Sequence, residues 1–274
     1  MLGILLALAA ALVWGGGDFS GGLAARRSHP LAVMVVSSFS GMLMLVVFAL
    51  AFREGLPEAA SAGWAAAAGL CGALAITALY RGLATGHMAQ IAPVAAVITA
   101  AIPVVAGTWI EGRPAATQMA GFGAALPGVW LVSRSRAVVR TGPLEGLGLA
   151  TVAGVGFGGF LVLIARVDDV FAPLAVARLV AAGTGLGLMA AQGLRPRALG
   201  GPALAWLAGC LDAGGTVFYL FAIRFTRLDV AAVLASMYPA TTVALAWWLL
   251  SQGVGRVQWL GIVLCLAAVA LMTM

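Results

Sequence analysis

The 274-residue chain has no lysine, two histidines (His29 and His87), three cysteines, and so few charges that acidic residues and arginines together make up 9% of it. Each shortage excludes a kind of chemistry. A P-loop needs a lysine to reach the phosphates of a nucleotide, and Schiff-base catalysis or a retinal linkage needs a lysine amine. The chain alone can do neither, so any active transport must draw on a gradient or a separate subunit. An enzyme would need a nucleophile with an oriented base, or a metal cluster. Two histidines in loops and scattered cysteines provide no such set, and neither catalysis nor a cofactor is expected. Cys71, Cys210 and Cys265 all fall inside apolar stretches and read as small packing residues rather than disulfide partners or metal ligands. The net charge of +6 comes from arginines scattered over loops. Nucleic-acid binding needs a basic surface on a folded module, so nucleic acid is not an expected partner.

Apolar residues are what the chain does have. It is 63% hydrophobic with a mean hydropathy of +1.08, whereas a soluble domain carries about a quarter charged residues. Apolar stretches fall near 2–24, 31–52, 63–85, 89–110, 116–133, 145–165, 172–192, 203–223, 229–250 and 256–273. Each is close to the ~20 residues a helix needs to cross roughly 30 Å of hydrocarbon. The runs are continuously apolar, without the period-two alternation of membrane β-strands. The expectation is an all-α, multi-pass membrane protein of ten transmembrane helices joined by short loops, with lipid as its surroundings. The first stretch lacks the basic flank of a secretory signal and reads as the first span.

Pro30-Leu31-Ala32-Val33 recurs 143 positions later as Pro173-Leu174-Ala175-Val176. Residues 1–48 lie over 144–191 without a gap at that offset, and Gly15 and Gly16 then meet Gly158 and Gly159. Gln118 and Gly121 likewise correspond to Gln258 and Gly261. The polar linker Arg134–Pro143 falls at the join. These features divide the chain into a first five-helix repeat, 1–137, and a second, 144–274. Five spans per half is an odd number, so the second half enters the membrane inverted. Gly17/Gly21, Gly82/Gly86, Gly154/Gly158 and Gly183/Gly187 have the spacing that lets helix backbones touch. The recurrence of Gly15 and Gly16 suggests a close helix contact at the centre of each half.

Asp18 and Asp212 stand out because a charge inside the hydrocarbon costs at least ~2.5–3.5 kcal/mol and usually faces a cavity. Asp212 is near mid-span and Asp18 lies nearer one end. Burial disfavours an uncompensated charge, so a carboxyl placed there takes up a proton or meets a cation. Neither aspartate has an acidic counterpart in the other repeat: Asp18 overlies Leu161, and Asp212 overlies an alanine or cysteine near residue 71. Arg81 and Arg178 sit nearer span ends, where a long side chain can reach the headgroups; otherwise each would pair with a carboxylate or meet an anionic substrate. Glu111 reads as an interfacial residue that helps a turn. Trp14, Tyr80, Tyr219 and Tyr238 lie in spans one, three, eight and nine as candidate walls of a cavity. Pro93, Pro103, Pro127 and Pro239 lie inside spans and free backbone carbonyls there.

Several of these stretches resemble EamA-type members of the drug/metabolite transporter superfamily. The matching residues are Trp14-Gly15 with Asp18-Phe19, then Gly22-Leu23-Ala24 and Arg26-Arg27. Leu79-Tyr80-Arg81-Gly82-Leu83-Ala84 leads through Gly86 to Ile91-Ala92-Pro93, and each half closes on a Gln and a Gly. The chain departs from the family pattern at Gln252, usually Glu, and at Ile98, usually Pro. The resemblance implies two five-helix repeats around a central cavity lined by spans one, three, four, six, eight and nine. It implies export of a small-molecule substrate, such as an amino acid or related metabolite, by alternating access across a bacterial inner membrane. The site residues would be Asp18, Asp212, Trp14, Tyr80, Tyr219, Tyr238 and Arg81, with the proton as a candidate coupling ion. Efflux of cationic drugs or quaternary amines is the alternative, and a channel or a non-transporting sensor or scaffold is the alternative of another class. Orientation is open. Loops after odd spans hold eight arginines and loops after even spans five, which favours termini outside, whereas the family pattern places them inside.

Overall fold

A computed structural model describes residues 1–84, 88–133, 143–194, 203–251 and 254–273, with side chains described for all of these except 80–84, 88–93 and 143–146. The helices run α1 (Leu2–Ala25), α2 (Pro30–Ala51), α3 (Ala59–Ala84), α4 (Met88–Glu111), α5 (Ala116–Ser133), α6 (Pro143–Ile164), α7 (Phe171–Ala191), α8 (Ala203–Ile223), α9 (Leu228–Ala235), α10 (Tyr238–Leu250) and α11 (Arg256–Thr273). There is no strand among the described residues. In lipid every backbone N–H must find its acceptor within the segment, which a helix achieves by itself. Among the described residues nine spans are long and apolar enough to cross a membrane, α9 and α10 counting together as one. The tenth, α5, carries Thr117, Gln118 and Pro127 and takes its place by packing along α11.

Span nine, one of the expected ten, is interrupted close to the proline noted in its sequence. Ser236 and Met237 form a turn between α9 and α10, and Pro239 is the second residue of α10. Proline brings no N–H and fits the first turn of a helix, so Pro239 suits the restart after the break. The turn satisfies itself locally: Ser236 and Met237 donate backbone N–H bonds to Ala232 and Leu234 at 2.9 and 3.2 Å, and the Ser236 hydroxyl donates to Ala232 O at 2.7 Å. Pro103 and Pro127 leave α4 and α5 continuous.

The two halves exchange contacts as a two-fold axis requires. Helix α1 packs along α8 as α6 packs along α3; α2 meets α8 as α7 meets α3; and α1 meets α9 and α10 as α6 meets α4. The direction of that axis follows from α5 and α11, which are each other's symmetry mates. A Cβ added at Gly121 would meet Met272, at Gly128 it would meet Cys265, and at Gly261 it would meet Val132. Residue numbers rise on one helix as they fall on the other, so the pair is antiparallel. An axis along the membrane normal would make such mates parallel; the observed axis therefore lies in the membrane plane, and the repeats are inverted.

The glycine contacts sharpen this and correct one expectation. A Cβ on Gly15 would sit 2.8 Å from the Tyr238 carbonyl oxygen and against the Thr241 side chain; on Gly158 it would sit 2.8 Å from Ile102 Cβ and 3.2 Å from Thr99 O. Tyr238 and Thr241 lie 139 positions after Thr99 and Ile102, so one contact is the symmetry image of the other. Both join one half to the other rather than tightening the centre of each half. Gly16 and Gly159 are looser, 3.4 Å from Leu211 Cδ1 and 3.8 Å from Cys71 Sγ. Of the spaced glycine pairs, Gly17/Gly21 faces α8 and Gly154/Gly158 faces α4, whereas Gly183 and Gly187 face open space. Gly86 lies outside the described residues.

Candidate functional site

Helix α1 brings Trp14 and Asp18 to α8 because Gly17 lets the two backbones close up. A Cβ at Gly17 would be 3.3 Å from Asp212 N and 3.5 Å from Leu211 Cβ. The Trp14 indole N–H donates to the Asp212 carbonyl at 3.0 Å. Asp18 is one turn further along the same side of α1. The side chain of Asp18 is exposed, as are Leu5 and Leu12, but in a different direction. At ~100° per residue, Asp18 points roughly 120° away from those two leucines, toward the side of Trp14. Asp212 similarly points away from the exposed Trp206 and Leu207 of α8. The two carboxyls are therefore exposed on sides of their helices other than those of the exposed leucines and tryptophan, and the space between α1, α7 and α8 is the candidate cleft.

Arg178 of α7 forms an ion pair through Nη1 with Asp212 Oδ2, and its Nη2 donates to the Thr216 hydroxyl at 3.1 Å. That hydroxyl donates in turn to the Asp212 carbonyl at 2.9 Å. Of the two readings of Arg178, the structure has the carboxylate pair: its side chain is 11% exposed and that of Asp212 41%. A buried guanidinium satisfied by a carboxylate and a hydroxyl costs less than one left alone, which is why the chain turns in rather than out. Asp18 has no hydrogen-bond or ion-pair partner among the described residues.

The aromatics divide by role. Tyr238 is half-buried at the start of α10, beside the break. Tyr219, expected as a cavity wall, is fully enclosed; its hydroxyl donates to Leu161 O at 3.2 Å and its ring backs Trp14 at 5.9 Å between centroids. It positions Trp14 and does not reach the cleft. The side chains of Tyr80 and Arg81 lie outside the described residues; both residues belong to the last turns of α3.

A second polar cluster was not legible in advance. Asp229, fully buried in α9, accepts from Arg227 Nε at 3.0 Å and Nη2 at 2.7 Å. Arg227 also donates to the carbonyls of Glu111 and Gly112, and the Glu111 carboxylate caps α9 by accepting Leu228 N–H at 3.1 Å. The hydrogen bonds to Asp229 raise the Arg227 pKa above its usual value, so the guanidinium stays charged. Glu54 does for α7 what Glu111 does for α9, accepting from Val170, Phe171 and Ala172 at 3.3, 2.8 and 2.8 Å. Both acids end helices of the first half and cap helices of the second, on the face that carries the two termini. Asp168 N–H to Ser61 and Arg224 to Asp168 O add to the closure of that face. The one signal for it in sequence was Arg227-Leu228-Asp229, a charged pair at the mouth of an apolar run.

A groove of about 420 Å³ runs along α4 between Ala101, Ile102, Val105, Ala106 and Trp109. It is wholly apolar and lies beside the exposed Val105 and Trp109, so it holds nothing to orient a polar solute. Among the described residues no cluster of His, Cys, Asp and Glu could hold a metal, and the three cysteines are free.

Comparison with known proteins bears on this arrangement directly. The sequence model of the EamA-like transporter family matches residues 1–134 and again 144–274, one match per half. No curated protein sequence matches the chain. One solved structure, described only as the crystal structure of a protein, superposes with a TM-score of 0.76 at 18% identity, over 99% of this chain and 98% of the other. At that identity the likeness establishes the fold.

Proposed function

The chain belongs to the EamA-like transporter family, and on that premise we propose that it is a secondary carrier of small amine-bearing metabolites, amino acids or related compounds, across the bacterial inner membrane. The observation that supports this most is the pair of aspartates from opposite halves, Asp18 on α1 and Asp212 on α8, whose carboxyls are accessible while the Arg178 side chain that pairs with Asp212 is enclosed. Such residues mark substrate or ion pathways. Trp14 and Tyr238 supply aromatic faces beside the carboxylates, a combination suited to an ammonium group. The inverted repeat supplies the two alternative arrangements that alternating access requires, and the break at Pro239 gives span nine a place to bend. The same cleft supports efflux of quaternary amines as a second reading, because carboxylates and aromatic faces accept both kinds of cation.

Export is the proposed direction and the proton the proposed coupling ion, since an unpartnered carboxyl can bind a proton on one side and release it when a substrate cation arrives. The test is uptake into proteoliposomes of labelled amino acids, nucleosides and quaternary ammonium ions, with and without a proton gradient. Uptake of an amine-bearing compound that Asp18→Asn abolishes supports the reading. Uptake confined to uncharged nucleosides, unaffected by Asp18→Asn and Asp212→Asn, would overturn it.

A further inference from the structure

The cleft contains three charges on membrane-spanning helices among the described residues: Asp18 on α1, Asp212 on α8 and Arg178 on α7. They do not have equal standing. Arg178 and Asp212 form a closed pair in which Nη1 is held by Asp212, Nη2 by Thr216, and Thr216 by the Asp212 backbone. An arginine does not release its proton at any pH a cell meets, so this neutralisation is permanent, as a lysine's would not be. Among the described residues Asp18 alone is left uncompensated. The guanidinium is too enclosed to receive an anion, and the accessible charge is carboxylate.

We propose that Arg178 sets the charge of the cargo: by neutralising Asp212 it leaves the cleft one negative charge, and so restricts it to one positive charge at a time, a monocation or a proton. This rests on the reading of the cleft as the solute site and adds a rule to it. The rule has a direct corollary. A solute cation and a proton compete for Asp18, so each displaces the other, and a dication finds no second free carboxylate. Replacing Arg178 by an uncharged residue of similar length releases Asp212 and gives the cleft two negative charges, which a dication matches. The Asp212 carboxylate is accessible enough from the cleft to be solvated once its partner is gone.

The experiment uses the purified full chain and two probes that share an aromatic-compatible quaternary nitrogen, the monocation phenyltrimethylammonium and the dication hexamethonium. Binding is read as thermal stabilisation in detergent across a concentration series. The wild type should bind the monocation at least tenfold more tightly than the dication. Arg178→Met should shift that ratio toward the dication by tenfold or more. The double variant Arg178→Met with Asp212→Asn, which again carries a single carboxylate, should restore the monocation preference. That double variant also separates charge from folding, because it lacks any unpaired buried group. Asp18→Asn should weaken the monocation at least tenfold. If the wild type binds the monocation and Arg178→Met keeps the same ratio, the charge rule is wrong and the solute site stands. If neither probe stabilises the wild type, both fail.

Discussion

The two halves of this molecule agree in their packing and disagree in their chemistry. Gly15 against Tyr238 and Thr241 is repeated as Gly158 against Thr99 and Ile102, and the α5–α11 contact is its own image. At the positions that carry charge the correspondence ends. Leu161 stands where Asp18 does, 143 positions on, and Val35 stands where Arg178 does. Gly72, which faces Phe160 as Asp212 faces Gly17, takes the place of Asp212. Helix α4 runs unbroken where its counterpart divides into α9 and α10. Duplication thus supplied a scaffold whose contacts must be kept twice over. The polar site was added once, across the seam, on α1 from one half and on α7 and α8 from the other.

The sharpest way to break this comparison is to overpack the seam. Gly15→Leu and Gly158→Leu should both abolish transport and lower yield, because each forces a side chain into backbone or Cβ atoms already in contact; overpacking of this kind costs about 1–3 kcal/mol or more. Gly16→Ala, with 3.4 Å to a flexible leucine tip, should transport as wild type does. Transport rate and detergent-solubilised yield of the three variants decide it, and unequal damage at Gly15 and Gly158 would end the claim of equivalence. Next in size is the charged site. Asp212→Ala leaves Arg178 without its partner and should cost about 2–3 kcal/mol of stability, the lower side of the cost of breaking a buried pair since the carboxylate is partly exposed. Asp18→Ala should leave the melting temperature unchanged and still remove transport. Thermal unfolding beside vesicle uptake distinguishes the two aspartates. Smaller effects are expected at the caps: Glu54→Gln and Glu111→Gln should each cost about 1 kcal/mol through weaker charge-assisted bonds to helix starts. The same substitutions should raise labelling of a cysteine placed at Ala7, buried in α1 on the side of Trp14, by a reagent added from the terminal face.

Much of this was legible in the sequence because the properties concerned are periodic or summed. Ten apolar runs, an offset of 143 and an odd number of spans per half lead to an inverted-repeat helical protein without any contact being known. Asp18 and Asp212 were legible because a charge in an apolar run is rare on its face. What escaped was what depends on partners distant in sequence. For Arg178 the sequence left a headgroup anchor and a carboxylate partner both open; its pairing depends on α7 meeting α8, which no local pattern encodes. Tyr219 read as a cavity wall because its span was right, but its position on α8 turns it toward Leu161. The glycines at 15 and 16 looked alike in sequence, and only the approach of α10 tells them apart. Of the prolines noted inside spans, Pro239 follows a break in its helix whereas Pro103 and Pro127 interrupt nothing, a difference that depends on what packs around each.

The carboxylates of Glu54 and Glu111 give the duplication a history that cannot run backwards. Both sit in the first half and hold the starts of α7 and α9 in the second. Counting on 143 residues from Glu54 reaches Arg197, and 140 from Glu111, the offset that pairs Gln118 with Gln258, reaches Ser251. Neither is a carboxylate, the group that the positive end of a helix favours. The second half therefore depends on the first for the starts of two of its helices, a dependence that the first half does not return through the corresponding positions.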